Sequence, residues 1–130
     1  YDVVVTSNMF GDIATDLASV LQGGMGMAGS GNIGDDHAFF EPVHGSAPKY
    51  AGMNKVNPIA SINSIQMMMD WLGRKNNNQE ILHIASAIES SVSAHLTEGK
   101  HLTYDLGGDS TCSMVGDLIS QRLANILSEN

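Results

Sequence analysis

Three features of the sequence predict an α/β architecture. Asp2-Val3-Val4-Val5-Thr6 is β-branched and continuously apolar, the pattern of a strand buried on both faces in a parallel sheet. Downstream, several segments carry apolar residues at the three-and-four spacing of amphipathic helices. Between these patterns lie glycine-rich and proline-containing connections that regular elements would not tolerate. With 130 residues, 42% of them hydrophobic, the chain has room for about one domain core, which excludes a multidomain machine.

Taken in order, the first helix is predicted from Asp12 to Leu21, where Ile13, Leu17, Val20 and Leu21 share a face. Gly23–Gly34 holds six glycines in twelve residues, so a turning, closely packed crossover between domains is expected in place of a helix. Ala38-Phe39-Phe40-Glu41 reads as a short strand, and Glu41–Pro48 as a loop suited to binding. Pro58 suits the first turn of a second helix with Asn57 as its cap; Ile59, Ile62, Ile65, Gln66, Met69 and Leu72 then trace a face ending at Gly73. Arg74–Gln79 is a polar connection, and Ile81, Ile84, Ala85, Ile88 and Val92 mark a third helix running toward Gly99. Leu102–Tyr104 is extended, Leu106–Ser110 a loop, and Met114–Leu127 the last helix. So few strands leave a parallel sheet incomplete. Together with a chain that opens on Tyr1, inside a strand, this predicts a piece of a longer protein.

Composition narrows the function. Aromatic residues make up 5% and charged residues 15%, with 14 glycines, so the chain is neither a disordered polyampholyte nor a coiled coil. Six Lys and Arg against fourteen Asp and Glu give a net charge of −8, which excludes nonspecific nucleic-acid binding, because no basic stretch can neutralise phosphates. No apolar window of about 18 residues offers a membrane span. The single Cys112 can form no internal disulfide and has no zinc-spaced partner, which fits a reducing, cytoplasmic setting. His37, His83, His95 and His101 lack ligand spacing, and the eight methionines read as core and interface filling.

Asp12 and Asp16 are four apart on one helix face, so both carboxylates can share one hard cation such as Mg²⁺ or Mn²⁺. Spacing alone leaves a second reading open, two solvated acids favoured by the helix dipole. No Gly-x-Gly-x-x-Gly fingerprint follows a strand, since Gly24-Met25-Gly26 lacks the right helix behind it. A Rossmann site is therefore not supported.

The order of motifs is more specific than any one of them. Val5–Asp16, then Gly23–Gly34, then Glu41-Pro42-Val43-His44-Gly45-Ser46-Ala47-Pro48 and Asn57-Pro58 strongly resemble the β-decarboxylating dehydrogenase family of isocitrate and isopropylmalate dehydrogenases. The resemblance implies that family's two-domain α/β fold, of which this chain is the C-terminal portion. Residues 1–22 would end the substrate and dimerisation domain, and residues 23–130 would form the C-terminal half of the nucleotide-binding domain. It also implies that Asp12 and Asp16 are metal-binding aspartates, joined by a third from the neighbouring protomer of a homodimer. The loop His44-Gly45-Ser46-Ala47-Pro48 and onward to Asn57 would lie along the adenosine half of a nicotinamide dinucleotide. Gly45 and Ala47 make sense there because small residues let backbone N–H groups approach a ligand, while His44 and Asn57 offer polar edges to adenine.

Family members that use NAD carry an acidic residue after Ala-Pro; here Lys49-Tyr50 follows. An ammonium and a phenol can bind a 2′-phosphate that a carboxylate would repel, so NADP is favoured over NAD. Tyr104 resembles a second phosphate-contacting tyrosine of NADP-dependent isocitrate dehydrogenases. The arginine expected four residues beyond it is Gly108. No catalytic residue lies in this segment: the substrate arginines, the proton-transferring tyrosine and lysine and the third aspartate belong upstream or to the partner, so the piece alone should be inactive. The expected reaction is oxidative decarboxylation of isocitrate to 2-oxoglutarate and CO₂. The alternatives are NAD-dependent isopropylmalate oxidation and the role of a noncatalytic regulatory subunit.

Overall fold

The computed structural model describes residues 1–129. Its elements are α1 (Asn8–Ser19), β1 (Gly29–Ile33), β2 (Ala38–Pro42), α2 (Ile59–Lys75), α3 (Gln79–Glu98) and α4 (Cys112–Ser128). Short 3₁₀ turns stand at Val20–Gln22, Met25–Met27, Pro48–Tyr50 and Tyr104–Leu106. β1 and β2 form an antiparallel hairpin with Gly31 opposite Phe40. One side of α2 packs on this hairpin and the other on α3, which in turn carries α4. The core lies where Met27, Ile59, Val92, Val115 and Ile119 meet, with Ile62, Leu96 and Leu106 around them. Among the described residues no helix is long and apolar enough to cross a membrane.

The three long helices arise where the apolar spacing predicts them, and each start is fixed by a side chain. The N-cap of α2 is Pro58 and not, as expected, Asn57, whose Oδ1 accepts from the Ile59 N–H at 2.9 Å just ahead of it. Asn78 caps α3 by accepting from Glu80 and Ile81, and Thr111 caps α4 by accepting from Met114. Gly99 ends α3 in the left-handed conformation that glycine adopts without penalty. α2 runs on past Gly73 to Lys75, because Gly73 serves contact and not termination: it is buried against Leu82 of α3.

Three further expectations are corrected. Residues 2–6 form no strand, and Val3, Val4 and Val5 are exposed. A buried parallel strand needs neighbours on its ladder, and the strands among the described residues pair only with each other. Gly23–Gly34 is more than a crossover, since it contains β1. Glycine in a strand marks close approach: a Cβ on Gly29 would lie 3.1 Å from the Ser64 backbone N, and one on Gly31 would lie 3.0 Å from the Phe40 ring. The first helix starts at Asn8, earlier than its apolar stripe indicates, and Ile13, Leu17, Val20 and Leu21 are exposed on this chain.

Two stability effects follow. A Cβ on Gly73 would stand 2.7 Å from Leu82 Cγ and 3.0 Å from the Leu82 backbone N. Gly73→Ala should therefore force α2 and α3 apart and cost about 1–3 kcal/mol in a urea melt. His95 is 3% exposed, and its Nε2–H donates to the His101 carbonyl at 3.0 Å, since a carbonyl can only accept. Burial holds its pKa below the ordinary value, with Arg122 also lowering it, against the His101 carbonyl and Glu98, which raise it. The unfolded imidazole takes a proton as pH falls through about 6.5 while the folded one resists, so the folded state keeps full stability above that value and loses it below. Urea midpoints compared at about pH 7.5 and 5.5 should fall at the lower pH, and His95→Gln should flatten that difference.

Candidate functional site

The loop after β2 is held at both ends. Val43 N–H donates to the Ala28 carbonyl at 3.0 Å. Farther on, Asn54 grips the start of α4: its carbonyl accepts from Cys112 N–H at 2.9 Å, its Oδ1 from Ser113 N–H at 3.0 Å, and its Nδ2 donates to Ser113 Oγ at 2.8 Å. Between these anchors Ala47 takes a left-handed conformation, φ 44°, that directs the chain into the Pro48–Tyr50 turn. A non-glycine residue held there is local strain sustained by the anchored loop.

The loop, the Gly26 turn and the Tyr104 turn enclose a cavity of about 380 Å³. His44, Gly45, Ser46, Ala47, Tyr50, Asn57 and Tyr104 line it, as do Gly26, Val56 and Asp105. Pro48 and Lys49 stand beside it in the turn that delivers Tyr50. His44 Nδ1–H donates to the Gly45 carbonyl at 2.9 Å, which in the neutral ring leaves Nε2 as an acceptor. Asn57 is buried and its amide is occupied: Oδ1 accepts from the Ile59 N–H and Nδ2 donates to Asp105 Oδ2 at 3.0 Å. Asn57 thus contributes chiefly by fixing Asp105, whose other oxygen accepts from Thr103 Oγ1 at 2.5 Å. Composition gave no signal for Asp105, because its part depends on partners 48 and 2 residues away.

Positive charge gathers at one end of the cavity. The Tyr50 and Tyr104 rings are 5.6 Å apart, centroid to centroid. Lys55 Nζ lies 4.5 Å from the Tyr104 centroid and 5.8 Å from that of Tyr50; Lys49 Nζ lies 5.9 Å from Tyr50. The neighbouring Tyr104 hydroxyl lowers the pKa of the Tyr50 hydroxyl, and the Lys49 and Lys55 charges lower it further. The same contact raises that of Tyr104. At Gly108 the backbone is closed, since a Cβ there would run into the Leu102 carbonyl oxygen, so this turn admits no side chain.

Asp12 and Asp16 both sit on α1, exposed and one turn apart. Because α1 starts at Asn8, neither lies in its first turn, and the helix dipole gives little reason for either acid. Asp12 borders a groove of about 930 Å³ between α1 and the hairpin; His44 and Gly45 border this groove and the cavity of the loop alike. Among the described residues no three His, Cys, Asp or Glu side chains converge as a complete metal site. The donor set fits a hard divalent cation that keeps open positions for other oxygen ligands.

A family model described as isocitrate/isopropylmalate dehydrogenase matches residues 1–119, and the chain belongs to that family. It is 51% identical over 119 residues to a homoisocitrate dehydrogenase of Methanocaldococcus jannaschii, covering 92% of this chain and 32% of that protein. It is 46% identical over 129 residues to a mitochondrial regulatory subunit of the NAD isocitrate dehydrogenase from Dictyostelium discoideum, covering 98% and 34%. The crystal structure of isocitrate dehydrogenase from Methylococcus capsulatus superposes with a TM-score of 0.80 at 39% identity, over 92% of this chain and 34% of that one. The chain thus spans about a third of the length of the relatives it matches, and it shares their fold.

Gly26 tests how tightly this wall is built. A Cβ there would lie 2.8 Å from Asp105 Oδ2 and 3.2 Å from Asn57 Cβ. Gly26→Ala should push the carboxylate off Asn57 and cost about 1–3 kcal/mol, read as a lowered urea midpoint; Gly45→Ala, with open space at its Cβ position, should shift it by less than about 0.5 kcal/mol.

Proposed function

We propose that the complete protein carrying this chain is a metal-dependent β-decarboxylating dehydrogenase that oxidises isocitrate to 2-oxoglutarate and CO₂ with hydride transfer to NADP. The observation that carries this reading is the shared wall: His44 and Gly45 border both the groove beneath Asp12 and the cavity of the 44–57 loop. A hydroxy acid held over α1 would then meet the nicotinamide end of a dinucleotide whose adenosine half lies in the cavity. Asp12 and Asp16 would hold Mg²⁺ or Mn²⁺. Such an ion supplies Lewis-acid stabilisation of the negative charge that develops as CO₂ leaves, worth several kcal/mol.

The chain's own residues do the rest by placement. Gly45 and Ala47 keep the wall low enough for backbone groups to reach a ligand. His44 presents its free ring nitrogen to a purine edge, and Lys49, Tyr50 and Tyr104 favour a 2′-phosphate over a bare ribose. Substrate-binding arginines and the proton-transferring groups would come from outside this segment. The exposed apolar face of α1, with Phe10, Ile13 and Leu17, suits a homodimer in which a partner supplies the third carboxylate, and a cytoplasmic location remains our reading.

A second reading is favoured by the side-chain-free backbone at Gly108, which denies the cofactor one expected cation. It is an NAD-dependent 3-isopropylmalate dehydrogenase. The regulatory relative from Dictyostelium discoideum supplies a third, noncatalytic one. Steady-state turnover of the complete protein with Mg²⁺, crossing isocitrate, homoisocitrate and isopropylmalate against NAD and NADP, separates them. We expect isocitrate with NADP to give the highest kcat/KM, and Asp12→Asn to lower kcat roughly 100-fold or more, about 3 kcal/mol of barrier. Preference for isopropylmalate with NAD would overturn both substrate and cofactor; absence of turnover with every pair would leave the regulatory role.

A further inference from the structure

The cation that Gly108 cannot provide has a substitute in the fold. The chain has six Lys and Arg in all. Arg74 is paired with Asp70 and Arg122 with Glu98, and Lys75 donates to the Asp35 and Asp36 carbonyls. That leaves Lys49, Lys55 and Lys100, and two of these converge on one tyrosine pair. Lys55 stands over both rings, nearer Tyr104 at 4.5 Å, while Lys49 approaches Tyr50 from elsewhere at 5.9 Å. Neither ammonium has a carboxylate partner among the described residues. The nearby carboxylate, Asp105, has one oxygen tied to Asn57 and the other to Thr103. In a chain of net charge −8, two ammonium groups without carboxylate partners thus stand over two phenols that line the cavity, chemistry suited to an anion.

We propose that Lys55 is a specificity-determining residue of an anion subsite there: its ammonium, laid across Tyr104 and Tyr50, supplies the second positive charge for the cofactor's 2′-phosphate in place of a side chain at position 108. The inference rests on the NADP reading above and extends it to a residue that the sequence motif does not mark. Lys55 reaches the subsite because Asn54 is pinned to α4 on one side and Asn57 to α2 on the other, which leaves little freedom in the short span between their anchors. Stacking on Tyr104 keeps the long side chain gathered over the rings, so less freedom is lost when a dianion arrives.

Equilibrium binding to the complete protein tests this, with 2′,5′-ADP as the probe of the 2′-phosphate and 5′-AMP as the probe of the remaining adenosine site. Wild type should bind 2′,5′-ADP at least tenfold more tightly than 5′-AMP. Lys55→Met should weaken 2′,5′-ADP about tenfold and leave 5′-AMP within about twofold, and Lys55→Arg should restore most of the loss. Lys100→Met, which removes the same charge from a lysine that lies over neither ring, should change neither. In turnover, Lys55→Met should raise KM for NADP with kcat retained. If wild type discriminates and Lys49→Met abolishes this while Lys55→Met does not, the inference is overturned and the NADP reading stands. Equal loss of both probes in Lys55→Met would make the residue structural and would also overturn it. A wild type that does not distinguish the two probes overturns the NADP reading and this inference with it.

Discussion

One buried amide ties together the start of α2, the Gly26 turn and the Tyr104 turn at the wall of the cavity. Asn57 is 6% exposed, and its two ends do different work: the oxygen holds the first N–H of α2, and the nitrogen holds Asp105. Through Asp105 the tie reaches Thr103, which is fully buried and whose carbonyl accepts from Leu106 and Gly108. One side chain therefore fixes the register between a helix start, a loop and a distant 3₁₀ turn. A polar group this deep is costly unless each hydrogen bond is made. Among the described residues no buried side-chain polar atom lacks a partner. The arrangement is therefore stiff where a nucleotide would need a preformed wall.

Close backbone approach sets the second condition. Gly29 lets β1 lie on α2, Gly31 makes room for the Phe40 ring across the hairpin, and Gly73 lets α2 lie on α3. Core residues there are small: Ala60, Ser64, Ala85, Ala87 and Ser91 are buried, and the two serines return their hydroxyls to carbonyls four residues back. Packing of this kind gains dispersion contacts along backbones in place of large side chains. Phe40 and Trp71 then seal the hairpin against α2, with their rings 6.2 Å apart, and Lys75 lies over Trp71 while it holds the 35–36 turn.

Electrostatics divides the molecule in a way the net charge hides. The acidic balance argues against phosphate ligands in general, yet the few cations are not spread evenly. Arg74 on α2 and Arg122 on α4 are paired with carboxylates and Lys75 is engaged by backbone carbonyls, whereas the loop keeps its lysines for the tyrosine pair. On α1 the opposite sign prevails, with two exposed aspartates, one of them bordering the groove. The two signs of charge thus sit at separate places along the surface bordered by the cavity and the groove, the arrangement that the proposed dinucleotide and divalent cation would require.

Local chemistry was enough for the helices, since a 3.6-residue apolar period and an Asn or Gly at the ends are properties of neighbouring residues. It was enough also for the order of motifs that marks the family, for the loop from His44 to Tyr50 and for the aspartate pair on one helix face. What it could not reach was every feature made by residues far apart in the chain. Gly29 of β1 read as part of a crossover because the helix it must approach is some thirty residues away, between Ser64 and Met67. Val3–Val5 read as a strand because propensity does not say whether a ladder partner exists. Lys55 had no pattern at all, and the motif that contains Asp105 did not mark its role, since one is defined by Tyr104 and the other by Asn57, each about fifty residues distant. Periodicity and capping are written locally; pairing, close approach and charge convergence exist only once the chain has closed on itself.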